Sequence, residues 1–490
     1  MKSDRVLRAD CLPHSMNADK EQRLAQFIRD YRSVTDQIGP RQWRLFFETG
    51  AVNKFLAAAD LNHICGAAPV QMATRQVVEQ IKSWVSNRAN EFADIVRRSK
   101  LPVELRKQLY AINHRKAWFS RAPLKGVDDD MRVLARRIMR HVMKQHRRPN
   151  LSRISPRLDD RITLSIEPSK KAKHSGLWAT LRLPGRGRIE IPLHPSKYFE
   201  DRGGELCPVV QLCTEQNRTV TVRLISDITE PCEKDRSDYT PKIDNIGVDF
   251  GLATLLSTNK GDLYGRGLLA DLLRIDRQIT GIARHRQRAG GKPRDSERYR
   301  RLVARVRGML RTRINQALNS IVKDRMPAGL TIEHLNFRSP ELSRRMNRII
   351  QNCGRAVFKA KLVDLEQHFG IVAHEVASPY SSQECSSCGY VDRRNRRSQS
   401  EFACRWCGHA KHADVNGACV VTTRRSRGLG AERLTKGAIL AELVRQFCER
   451  FPRSQGAAAD PRLTNRYFKD WSVAARNALT QDLVSCVQKQ

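Results

Sequence analysis

The chain has 490 residues, with 89 Lys and Arg against 51 Asp and Glu and a formal net charge of +38. That length exceeds one compact core and implies two to four domains, since single domains usually run roughly 100 to 200 residues. The charge excludes an ordinary metabolic enzyme as the default reading, the 40% hydrophobic content excludes wholesale disorder, and a surface this basic attracts polyanions, nucleic acid foremost.

The opening RVLRADCL at 5 to 12 reads as a strand. From about Asn17 to Gln145 the apolar positions recur at helical spacing, as in Leu24, Phe27, Ile28 and Tyr31 and again in Val133, Leu134, Ile138 and Val142. This predicts an all-helical module with arginines on the opposing faces. Past a Pro- and Arg-rich stretch at 147 to 157, the alternating runs ITLSI (162–166), LWATLRL (177–183), RIEIPL (188–193) and TVTVRLI (219–225) predict a small β-barrel punctuated by Gly and Pro. If the opening strand joins that barrel, residues 1–16 and 146–242 form one module and 17–145 are an insertion in it.

From Ile243 the pattern changes to an apolar strand with a Gly turn, a helical hairpin, a second strand, more helix, a third strand and a cysteine cluster. The hairpin's first arm carries Leu269, Leu272, Ile275, Ile279 and Ile282. Its second carries Leu302, Val306, Met309, Leu310, Ile314, Leu318 and Ile321, with Gly290, Gly291 and Pro293 breaking between them. The tail beyond Thr422 has helical stretches at 434–451 and 473–487, and no residue in it points to chemistry. No stretch approaches the roughly 18 to 20 apolar residues of a membrane span, and the opening lacks the apolar centre of a secretory signal, so the cytoplasm is the expected compartment.

Nine of the thirteen cysteines are scattered and read as reduced packing thiols. The other four, Cys385, Cys388, Cys404 and Cys407, form CxxC-x15-CxxCG. Two facing knuckles offer four thiolates, the closed tetrahedral set a structural zinc prefers, and the Gly after each pair permits the left-handed turn a knuckle needs. A redox dithiol is the weaker alternative, because a lone CxxC is common and the doubled pattern is not.

Three acids stand on three apolar segments. Asp249 ends the run NIGVDFG, where a buried charge is costly without a cation. Glu333 lies near the end of GLTIEHLNF, and Asp414 opens the small-residue run HADVNGACVV. Singly, each has an ordinary alternative: a turn Asp, a solvated Glu, a helix N-cap Asp.

Taken in order, VDFG, TIEHLNF, ASPYSSQECSSCG, FACRWCGH and HADVNGA resemble the RuvC-type nuclease of the TnpB family and its descendants, the compact type V CRISPR effectors. The likeness covers roughly 243 to 422. It implies a multidomain α+β chain with an RNase H-like RuvC α/β core at 243–384 and 408–425. A helical hairpin is inserted in that core, a zinc ribbon at 385–407 interrupts it and a helical extension at 426–490 follows. The preceding helical and barrel modules would correspond to a recognition lobe and a wedge. Asp249, Glu333 and Asp414 would then be a catalytic triad holding two Mg²⁺ ions, with Asp249 bridging. Where the family reads Asn-Ala-Ala after the third acid, this chain has Asn416-Gly417-Ala418, a small-for-small change expected to be tolerated.

The activity implied is RNA-guided cleavage of double-stranded DNA beside a short flanking motif, with a guide RNA and the displaced single strand as partners and no membrane. An RNA-guided binder with little cleavage and an unguided RNase H-like nuclease are the alternatives. The order Asp, Glu, Asp does not fit a DDE transposase.

Overall fold

The structure, a computed structural model, describes residues 5–53, 55, 60–120, 122–168, 175–214, 219–333, 337–430, 435–452 and 460–470. It divides into two compact units, Met1–Pro231 and Cys232–Gln490.

In the first unit, β1 (Leu7–Leu12) precedes four helices: α1 (Ala18–Thr49), α2 (Ala67–Arg98), α3 (Val103–His114) and α4 (Asp129–Lys144). Asn17 caps α1 by accepting from the Lys20 amide at 2.9 Å, and Gly50 ends it in the left-handed region at φ 76°. Strands β2 (Arg157–Leu158), β3 (Thr163–Pro168), β4 (Leu177–Leu183) and β5 (Gly187–Leu193) follow. After a short helix α5 (Lys197–Arg202) come β6 (Glu205–Thr214) and β7 (Val220–Asp227). They make two antiparallel sheets, β1-β7-β6-β2 and β3-β4-β5. β1 pairs with β7, so the helical segment interrupts the chain between paired strands.

Helices and sheets share one core. Leu24, Phe27 and Ile28 of α1 belong to the same buried cluster as Leu181, Ile191 and Leu224 of the strands. Of the apolar positions read on α4, Val142 is buried and Val133 is exposed. Strand β6 was not among the sequence-read runs: its CPVVQLC alternates poorly, and its register with β7 shifts between Leu206 and Val210.

The second unit begins with the greater part of α6 (Thr229–Asp238) and is built on a five-stranded sheet of order β10-β9-β8-β11-β12. Its strands are β8 (Ile243–Phe250), β9 (Leu256–Thr258), β10 (Leu263–Tyr264), β11 (Pro327–Glu333) and β12 (Val372–Val376). β8, β11 and β12 run parallel. The hairpin α7 (Leu268–Arg288) and α8 (Glu297–Arg325) lies between β10 and β11. Leu272, Ile275, Ile279, Val306, Leu310, Ile314, Leu318 and Ile321 are buried in the core of the sheet. α9 (Arg344–Phe369) links β11 to β12. Beyond β12 come the knuckles, the ribbon β13 (Glu401–Ala403) and β14 (Ala410–His412), then α10 (Ala413–Ser426) and α11 (Lys436–Arg450).

The extension is more than a solvated tail. Phe447 and Phe468 pack with Tyr390 and Phe402 in one aromatic cluster around the cysteine knuckles, and Arg462 stacks its guanidinium 5.0 Å from the Trp406 ring. The predicted helix at 473–487 lies outside the described residues. Among the described residues no helix is long and apolar enough to cross a membrane.

Candidate active site and cysteine centre

Parallel strands end on the same side of a sheet, and this brings the first two acids together. Ile332 of β11 is in register with Val248 of β8, so Glu333 and Asp249 follow as neighbours at the carboxyl ends of their strands, where open α/β sheets place ligands. The third acid arrives on α10, whose first turn carries Asp414.

Two glycines set how closely that helix approaches. A Cβ on Gly247 of β8 would stand 1.8 Å from Thr422 Oγ1 and 2.5 Å from the Ala418 carbonyl, and one on Gly417 would stand 2.6 Å from Asp249 Oδ2. α10 therefore lies on β8 with no side chain between them at these points. The bare Gly417 and the observed orientation of the Asp249 carboxylate go together, which gives the Asn-Gly-Ala departure a geometric meaning.

The electrostatics follow from burial. Desolvation, then the charges of Glu333 and Asp414, push the Asp249 carboxyl well above the ordinary carboxylate range, against the pull of Arg396. Glu333 is also raised by burial, opposed by a hydrogen bond from Ser381 Oγ at 2.8 Å and by the Arg424 charge. The interaction between the two acids raises Asp249 and lowers Glu333, so Asp249 is the more strongly raised of the pair. Asp414 accepts from Arg396 Nη2 at 3.0 Å. It is not the helix cap, a position held by His412. The three acids interact, but they do not crowd as closely as the four cysteine sulfurs do.

Those sulfurs all lie within 4.8 Å of one another. The Cys385–Cys407 and Cys388–Cys404 separations are 3.8 and 3.6 Å. A tetrahedron with metal–sulfur bonds of about 2.3 Å has edges of about 3.8 Å, so these two separations match those of a zinc site. Gly389 and Gly408 take φ of 83° and 72°, the left-handed turns expected of knuckles. Hydrogen bonding within the cluster holds the Cys385 thiol far below its usual range and pushes Cys388 and Cys404 up.

Sequence reading missed the groups that join this centre to the acids. Asn416, wholly buried, accepts from the Ser386 amide at 3.1 Å and donates to the Glu384 carbonyl at 2.9 Å. The Glu384 and Arg424 side chains, both 0% exposed, pair at 2.7 Å. Asp414 and Arg424 thus share a helix pinned to the first knuckle. The available signal was the polar Asn416 inside an otherwise small, apolar run.

Residues 358–421 match the family described as Cas12f1-like, TNB domain, and this segment holds both knuckles and Asp414. Among individual proteins, the chain is 36% identical over 72 residues to the CRISPR-associated endodeoxyribonuclease Cas12f1 of Sulfoacidibacillus thermotolerans, covering 15% of this chain and 17% of that one. It is 24% identical over 219 residues to InsQ of Escherichia coli (strain K12), named as a candidate RNA-guided DNA endonuclease, covering 41% and 52%. CasPhi-2 (Cas12j) bound to crRNA and phosphorothioate-DNA aligns over 88% of this chain and 93% of that one, at 11% identity and a TM-score of 0.46. The chain is thus similar to the TnpB-type and compact type V nucleases. Its matched stretches span about half or less of the length of those curated relatives.

Proposed function

We propose that the chain is an RNA-guided DNA endonuclease that hydrolyses phosphodiester bonds at one site built from Asp249, Glu333 and Asp414. The observation that carries this reading is the convergence of three acids from separate segments, with the Asp249 carboxyl pushed up by burial and by its two neighbours. Such a cluster is unfavourable in a metal-free protein and favourable around divalent cations. Magnesium held by these carboxylates would supply Lewis-acid stabilisation of an in-line displacement at phosphorus. The chain's own part is positional. Ser381 orients Glu333, Arg396 orients Asp414, and Gly417 leaves the space the Asp249 carboxylate needs. One zinc ion on the four cysteines would hold the ribbon, and through Glu384 and Asn416 the start of α10.

The proposed partners are a guide RNA, a double-stranded target and its displaced strand, to which a charge of +38 is suited. The test is to express the chain with its flanking locus, sequence the RNA that copurifies, and assay cleavage with Mg²⁺. A discrete RNA with a constant part and a variable end, and an Asp249→Ala variant that binds but does not cut, are expected. Heterogeneous RNA removed by salt, or substantial cutting by Asp249→Ala, would overturn the reading.

A further inference from the structure

We propose that a cavity in the first unit binds an unpaired nucleotide of a single strand, its base stacked on aromatic rings and its phosphates held by one face of α4. The cavity measures about 640 Å³, within the usual range for small-ligand sites. Its apolar side is Phe47 of α1, Trp84 of α2 and Phe119, which follows α3, all three half-buried. The Phe47 and Phe119 rings meet edge to face at 5.2 Å.

α4 contributes Arg136, Arg140 and Lys144 to the same lining. Their spacing of four residues sets them in one stripe with a rise of about 6 Å between neighbours. Arg148 completes the wall, its guanidinium 5.0 Å from the ring centres of both Trp43 and Phe47.

The charge on this wall is uncompensated. Neighbouring cations are matched: Arg132 pairs with Asp129, and Arg88 and the cavity-lining His146 both pair with Glu91. Arg136, Arg140, Lys144 and Arg148 have no carboxylate partner among the described residues, and no acid lines the cavity. A solvated helix face would account for the cations alone, and a docking site for an apolar peptide would account for the rings alone. Rings beside unpaired cations match a nucleotide, because every base offers a π-face and every linkage an anion. A duplex hides those faces, so the ligand is unpaired RNA or DNA. This inference stands independently of the acid site, and binding tests it without any cleavage readout.

The experiment uses the full chain and single strands of about 12 nucleotides. One is an RNA carrying 4-thiouridine and the other a DNA carrying 4-thiothymidine; each is crosslinked and peptide-mapped, with a duplex as comparison. Crosslinks on the peptides of Phe47, Trp84 or Phe119 are expected. Phe119→Leu keeps apolar bulk and removes the π-face. It should weaken single-strand binding about 5- to 150-fold while sparing the duplex, and the strand more affected identifies the ligand as RNA or DNA. Arg140 is exposed, so Arg140→Ala tests the same site without threatening the fold. It should flatten the dependence of log K on log salt by about 0.7. Crosslinks confined to other peptides, or unchanged single-strand affinity and salt slope in these variants, would overturn the proposal. So would equal losses on duplex and single strand.

Discussion

Replacing Arg424 with methionine tests whether the cysteine centre and the helix bearing Asp414 are one structural piece. Arg424 donates to Glu384 Oε2 from Nε at 2.9 Å and from Nη2 at 2.7 Å, to the Pro379 carbonyl at 2.9 Å, and to the Ala377 carbonyl. Methionine fills similar volume but leaves a buried carboxylate and two carbonyls without these donors. Removing one partner of a buried pair costs about 3 to 5 kcal/mol, and each stranded carbonyl adds to that, while Arg427, still bonded to Glu384, offsets part. With about 2 to 4 °C per kcal/mol for a unit of this size, the transition of the second unit should fall by about 6 to 20 °C in calorimetry. The double variant Glu384→Leu/Arg424→Met removes the stranded charge and should melt above the single one. A single-variant shift within about 2 °C, or a double-variant loss equal to the sum of the singles, would refute this account.

Three further outcomes are expected. In metal-free protein the raised pKa of Asp249 favours its protonated form, so that contribution to stability is complete below the unfolded pKa near 4 and is lost as pH rises through the folded value. Asp249→Asn in chelator should therefore melt above the parent by a margin that widens as pH rises above the unfolded pKa of about 4; parallel melting curves would contradict the assignment. Elemental analysis should find one zinc per chain, and Cys404→Ser should lose it and lower the second transition, given the roughly 10 to 16 kcal/mol such sites contribute in small zinc domains. Gly247→Ala should cost about 1 to 3 kcal/mol through overpacking. Adding Thr422→Ala should recover only part of it, since the Ala418 carbonyl remains 2.5 Å from the new Cβ; denaturant titration reads both.

The sequence was legible where chemistry and periodicity coincide. Cys385, Cys388, Cys404 and Cys407 could be read because thiolate spacing is itself the geometry of the centre. The arms around Leu272 and Leu310 could be read because helical period decides which side chains are buried. Asp249 and Glu333 could be named, but their adjacency depends on the parallel register of β8 with β11, which no local pattern encodes. Arg396, Glu384 and Arg424 were hidden for a different reason: in a chain so rich in arginine, a buried guanidinium looks like any solvated one until the fold excludes water from it. Strand β6 escaped because its bulge breaks the alternation that marks a strand.

The pairing of β1 with β7 also bears on how the chain is made. Leu12 leaves the ribosome long before its partner Val222 is synthesised. At 5 to 20 residues per second, the roughly 200 intervening residues take about 10 to 40 s. Through that interval the first strand is an open edge, and the helices that follow it must hold their apolar faces without the sheets that later share their core. Slowing translation across residues 13–220 is therefore expected to lower the soluble yield, which pulse-labelling of the nascent chain would read, and a chain halted before β7 is the species that chaperones would have to hold.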